Sequence, residues 1–248
     1  MREHSFSKLV LVAGAFLAGA SIAQSESGDG DQHWSYEGDH GPSHWGGVCT
    51  LGTQQSPVNI EGQVKADVPK IEIAWKNSPG QLENNGHTIL VDFPAGSLLR
   101  RGDDTYELVH VHFHAPSEHH VNGKAYPMEA HFVHRHVERG TLGVVGVFLV
   151  AGKSNESFAH LASAFPAESG GKDSVAEVDL AALLPADLDY WSYKGSLTTP
   201  PCSEEVDWMV VQQPLEVGET DIARFTASYQ MNARPIAPLN TRSILSSR

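Results

Sequence analysis

Residues 109–134, "VHVHFHAPSEHHVNGKAYPMEAHFVH", limit the possible folds of this chain more than any other segment. Over residues 109–114, histidines alternate with valine and phenylalanine. A period of two suits a strand and not a helix. A second run of the same character follows at residues 129–137. Between them stands Asn122-Gly123, a pair favoured in two-residue hairpin turns because both central positions need positive φ. An antiparallel ribbon is therefore predicted. His110, His112 and His114 share one face of its first strand. With Asn122 and Gly123 at the turn centre, His114 stands opposite His131 and His112 opposite Val133, and opposed side chains share a face. A bulge at Pro116 would shift that register.

On this count His112, His114 and His131 converge on one side of the ribbon. His110 is on the same face but roughly 13 Å from His114, at about 3.3 Å per residue. It reaches His112 more easily than a metal held with His131. Three neutral imidazoles on a rigid ribbon suit zinc, which prefers tetrahedral nitrogen or sulfur donors. Three protein ligands leave the fourth position open, as a catalytic site requires. His119, His120, His134 and His136 are expected to face solvent or to support the site, not to ligate.

The rest of the chain is strand-dominated. Residues 71–75, 87–93, 108–115, 129–137 and 205–212 read as strands from their β-branched and aromatic content. Residues 142–150, "LGVVGVFLV", form a continuous apolar run, which predicts a strand buried on both faces. Helices are few. Residues 154–165 place Phe158, Leu161, Ala162 and Phe165 on one stripe. Thr220 is placed to cap a second helix bearing Ile222, Phe225 and Tyr229. The predicted class is α+β with β dominant: one domain on a large, mostly antiparallel, twisted central sheet with small peripheral helices. At 248 residues, 40% hydrophobic, the chain suits one domain, and it shows no repeat, heptad or interdomain linker.

The N-terminus reads as a signal peptide over residues 1–23. Arg2 and Lys8 precede an apolar run at residues 9–20, and "SIA" fits a small-x-small cleavage site before Gln24. That run is short and rich in Gly and Ala for a membrane span. A flexible leader, residues 24–33, precedes the main domain, residues 34–248. The chain is thus expected to be periplasmic or secreted. Cys49 and Cys202 in an exported chain favour one disulfide, with two buried thiols as the alternative. A formal charge of −13 argues against nucleic acid and against an anionic membrane surface as partners.

Several motifs together resemble the α-class carbonic anhydrases, specifically the exported bacterial kind. The strongest is "HVHFHAPSEH" followed by "YPMEAHFVH". "HWSYEG", "QSPVNI", "NNGH", "GSLTTPPC" and "NARP" occur in family order around it, from about residue 34 to residue 242. The resemblance implies reversible hydration of CO2 to bicarbonate by a zinc-bound hydroxide. It implies one zinc ion held by His112, His114 and His131. It further implies that Thr198 and Glu118 orient the hydroxide, that His87 shuttles the proton, and that Thr199 contacts bicarbonate. Val133, Val144, Leu197 and Trp208 would form the apolar wall for CO2. Glu129 would support His131, and His110 would support His112 where the family commonly has glutamine. Cys49 and Cys202 match the family's disulfide pair. Leu90 departs from a position that often carries a polar side chain near the shuttle waters. Relatives of this kind often form homodimers, so a homodimer is a further expectation. An inactive binding module would lack the zinc ligands, and a metal buffer would carry flexible His-rich tracts. Neither description fits this chain as well.

Overall fold

The computed structural model describes residues 33–247. The expected signal segment, and the leader as far as residue 32, lie outside the described residues. Ten strands make one continuous path across the main sheet. In spatial order they are Lys172–Val178, Ser78–Asn84, Ile89–Asp92, Asp104–His114, Met128–His136, Leu142–Ala151, Glu204–Val211, Tyr190–Ser196, Leu245–Ser246 and Val64–Lys65. Most pairs are antiparallel. Leu142–Ala151 runs parallel to Glu204–Val211, and Leu245–Ser246 parallel to Val64–Lys65.

The two central strands are buried on both sides. Every residue of Met128–His136 except Arg135 is buried, and so is residue 143–149 of the apolar run. Period-two alternation sends Met128, Ala130, Phe132, Val145 and Val147 into the larger core. Val133, Val144, Phe148 and Trp208 go into a smaller core on the opposite side. The helices Glu156–Ser163 and Glu219–Ser228 add Phe158, Leu161, Ala162 and Phe225 to the larger core. That leaves the other side of the sheet for the histidines.

Local chemistry accounts for most element ends. Asn155 Oδ1 accepts from the Phe158 N–H at 2.9 Å and caps the first of these helices. The second helix corrects the expectation for Thr220. Gly218 is its N-cap and Thr220 lies inside the first turn, where Glu219 and Asp221 complement the helix dipole. Strands Ser78–Asn84 and Lys172–Val178 were not foreseen. Pro79, Gly80 and the charged residues of the edge strand hide their period.

The histidine ribbon forms with a corrected register. His131 stands opposite His112, Glu129 opposite His114, and Val133 opposite His110. The turn itself keeps the expected register, with His120 opposite Ala125 and Val121 opposite Lys124. Six steps lead from His114 to His120 but only four from Ala125 to Glu129. The two extra residues lie in the segment through Ser117, Glu118 and His119. The Glu129 carboxylate holds that segment by accepting from the Glu118 N–H at 3.0 Å and the His119 N–H at 2.9 Å. The tip then pairs with Asn59–Ile60 in a separate small sheet. A shift of two residues preserves the face, so the three histidines still converge.

Candidate metal centre

His112, His114 and His131 bring one ring nitrogen each within 4.8 Å of the others. Hydrogen bonds on the outer side decide which nitrogens remain free. His114 Nδ1 donates to the Asn232 carbonyl at 2.7 Å, which leaves Nε2 buried without a hydrogen-bond partner. His131 Nε2 donates to Glu129 Oε1 at 2.9 Å, which leaves Nδ1. Burial lowers the pKa of all three rings, that of His114 to about 4 despite the carbonyl bond. Neutral imidazoles with free nitrogens aimed at one another are the donor set that zinc accepts.

His112 differs from the other two. Its Nδ1 is buried and has no hydrogen-bond partner. The expected bond to His110 is not formed: the two rings lie 5.3 Å apart between centroids, tilted by 42°. Burial lowers His110 to about 4, so it stays neutral near pH 7. Leu90 stands directly opposite His112 on the neighbouring strand.

Two buried carboxylates flank the rings. Burial alone would raise Glu129, but His119 and His131 hold it well below the usual carboxylate range. Its two oxygens accept from His119 Nδ1 at 2.7 Å, from His131 and from the two backbone N–H groups above. Glu118 has fewer donors, and burial raises it to about 7. Its Oε1 accepts from the Arg234 N–H at 2.8 Å. Its Oε2 has no close hydrogen bond and lies 3.4 Å from His114 Nε2 and 3.8 Å from His131 Nδ1. The Thr198 hydroxyl also favours its charged form.

Thr198 is buried, in the loop that follows Tyr190–Ser196. The Thr199 carbonyl accepts from the Cys202 N–H at 2.8 Å, and Cys202 is bonded to Cys49 across 153 residues. Val133, Val144 and Trp208 share the smaller core, with Leu197 packed against it. The Trp208 ring lies 4.9 Å from the His131 ring. His87 stands apart from the cluster, stacked on Trp34 at 3.7 Å with planes 10° apart. Burial, and then His33, lower its pKa from the ordinary value.

Sequence reasoning missed two supports, Asn232 and Arg234, and left His119 between solvent and a supporting role; the structure gives His119 the second. It is fully buried, with Nδ1 on Glu129 and Nε2 accepting from the Tyr193 hydroxyl at 2.6 Å. Asn232 holds His114, and its amide also accepts from the Ala115 N–H at 2.8 Å. Arg234 holds Glu118. The last two lie within "NARP", and no local period links that motif to residues more than a hundred positions earlier.

Comparison with known proteins decides what this geometry belongs to. A family model described as eukaryotic-type carbonic anhydrase matches residues 40–248. A carbonic anhydrase of Pectobacterium carotovorum is 37% identical over 91% of this chain and 95% of its own length. One from Klebsiella pneumoniae is 40% identical over 86% of this chain and 90% of its own. The solved α-carbonic anhydrase of Thermovibrio ammonificans, in complex with the inhibitor sulfanilamide, superposes with a TM-score of 0.83 at 40% identity, covering 86% of this chain and 98% of that one. The chain belongs to the α-carbonic anhydrases. Membership places it among the carbonate dehydratases, whose substrate is the small molecule CO2 or bicarbonate.

Proposed function

We infer that this α-carbonic anhydrase hydrates CO2 reversibly with one zinc ion held by His112, His114 and His131. One observation carries the reading. The outer nitrogens of His114 and His131 are already bonded to protein, His114 Nε2 is buried without a partner, and one nitrogen each of His112, His114 and His131 converges within 4.8 Å. Zinc, when bound by three imidazoles, makes its water acidic enough to supply hydroxide near pH 7.

The protein's own groups do the rest. Glu129 and the Asn232 carbonyl fix the tautomers of His131 and His114 and keep the rings oriented. The Glu118 carboxylate is the acceptor for the Thr198 hydroxyl. Thr198 then has only its oxygen lone pairs to offer, so it accepts a proton donor at the reacting position and aligns the attack. Thr199 contacts bicarbonate. CO2 carries no charge, and Val133, Val144, Leu197 and Trp208 present it with hydrocarbon. His87 takes up the released proton through water. Its pKa, lowered from the ordinary value first by burial and then by His33, favours passing that proton on to solvent. His110 is too far from a hydrogen bond with His112 to fix its tautomer in this arrangement, so it serves by packing.

The Cys49–Cys202 disulfide fits an oxidising compartment, and with the signal-like sequence of residues 1–23 it supports export to the periplasm or beyond. Among the described residues no helix is long and apolar enough to cross a membrane.

Stopped-flow CO2 hydration tests the reading. Removing the metal should abolish catalysis, and one equivalent of zinc per chain should restore it. Hydration that is indifferent to metal would overturn it.

A further inference from the structure

Gln55 and Arg234 have no place in the scheme above, yet they are 6% and 8% exposed. Arg234 spreads its guanidinium over three acceptors. Nη1 donates to Gln55 Oε1 at 2.9 Å and to the Ser56 carbonyl at 2.8 Å, and Nη2 to the Cys49 carbonyl at 2.9 Å. The guanidinium carbon lies 5.5 Å from the centroid of the Trp45 ring. Gln55 Nε2 donates to the Cys202 carbonyl at 3.2 Å and to Glu204 Oε1 at 2.9 Å. Together the two side chains clasp the carbonyls of both half-cystines.

Two further contacts run from this clasp to catalytic groups. The Arg234 N–H holds Glu118 Oε1 at 2.8 Å. Ser56, the neighbour of Gln55, exchanges bonds with Ser196: its N–H donates to Ser196 Oγ at 2.9 Å, and the Ser196 N–H donates to Ser56 Oγ at 3.1 Å. Ser196 is two residues before Thr198. One rigid frame therefore holds Glu118 from one side and the Thr198 loop from the other. A guanidinium suits this work because its planar fork fixes the directions of several donors at once.

We propose that Gln55 and Arg234 are positioning residues that set the distance between Glu118 and Thr198. The inference rests on the reading that Thr198 donates to Glu118 and accepts at the reacting position. A displacement of about 1 Å at such a pair is enough to cost up to roughly 100-fold in rate.

The test uses Arg234→Lys and Gln55→Leu in the full, zinc-loaded, disulfide-intact chain. Each variant should lose about 10-fold or more in kcat for CO2 hydration, with KM changed less than about two-fold. A sulfonamide offers an N–H to Thr198, so its affinity should fall by a similar factor. Thiocyanate has no proton to offer, and its affinity should stay within about two-fold. Zinc content should remain one per chain. Wild-type kcat and sulfonamide affinity in both variants would overturn the inference. So would a parallel loss of sulfonamide, thiocyanate and zinc binding, because that marks a general collapse of the site. A wild-type chain without hydration would instead sink the functional reading, so the two failures are distinguishable.

Discussion

The strand Met128–His136 has two sides that are equally buried and chemically opposite. Met128, Ala130 and Phe132 face one side, Glu129, His131 and Val133 the other, and none of the six is more than 5% exposed. Along Met128–Phe132 the first side meets hydrocarbon, and removing any atom costs packing; farther along, His134 stacks on Trp75. On the second, a carboxylate and an imidazole survive burial only because nearly every polar atom has a partner. Burial depth therefore does not distinguish core from site. Unsatisfied atoms alone do not distinguish them either, because both ring nitrogens of His134 on the first side lack a partner as His114 Nε2 and Glu118 Oε2 do. The difference lies in convergence: only on the second side do His112, His114 and His131 bring ring nitrogens within 4.8 Å of one another.

Truncation on the apolar side should separate stability from function. Phe132→Ala is expected to cost about 3–5 kcal/mol in denaturant unfolding, from lost transfer energy and the cavity left behind. The folded fraction should still bind zinc with near wild-type affinity. A large loss of zinc affinity in that fraction would break the contrast.

The polar side should respond the other way. Glu129→Gln keeps the shape but loses the charge that His119 and His131 share. It should weaken zinc binding about 10- to 100-fold in a chelator competition, or roughly 1.4–2.8 kcal/mol. Unchanged zinc affinity would mean that the His131 tautomer is set by something other than Glu129.

The smallest effect near neutral pH is a slope in the stability of the metal-free protein. His110, His114 and His134 are each lowered by burial to about 4. An unfolded chain protonates these rings near pH 6.5 and the folded chain only near 4. Their contribution is therefore complete above about pH 6.5 and is lost as pH falls toward 4. Glu118, raised by burial to about 7, opposes the trend by taking a proton first in the folded state. Several histidines outweigh one carboxyl, so the unfolding midpoint should fall between pH 7 and 5. A midpoint that rose over that interval would show that the polar side is not held neutral by burial.

Much of this contrast was legible in the sequence. Alternation identified the histidine face, Asn122-Gly123 located the turn, and the apolar run announced the doubly buried strand. The ribbon register was not legible, because it depends on two residues near Ser117–His119 that the Glu129 carboxylate folds out of line. Nor were the supports from Asn232 and Arg234, which arrive from a loop more than a hundred residues later and leave no periodic trace. Thr220 misled because a favourable capping residue stood two positions past the glycine that starts the helix. His110 misled differently. Its spacing placed it beside His112, but hydrogen bonding depends on ring tilt, which spacing does not carry.

The central claim is that three histidine nitrogens, and no carboxylate, are held ready for one metal ion. X-ray absorption at the zinc edge of the loaded protein tests this most directly. The account predicts one zinc per chain with three imidazole nitrogens at about 2.0–2.1 Å and one exchangeable light-atom ligand. A signal requiring a protein carboxylate, a fourth imidazole or a second metal ion would contradict it.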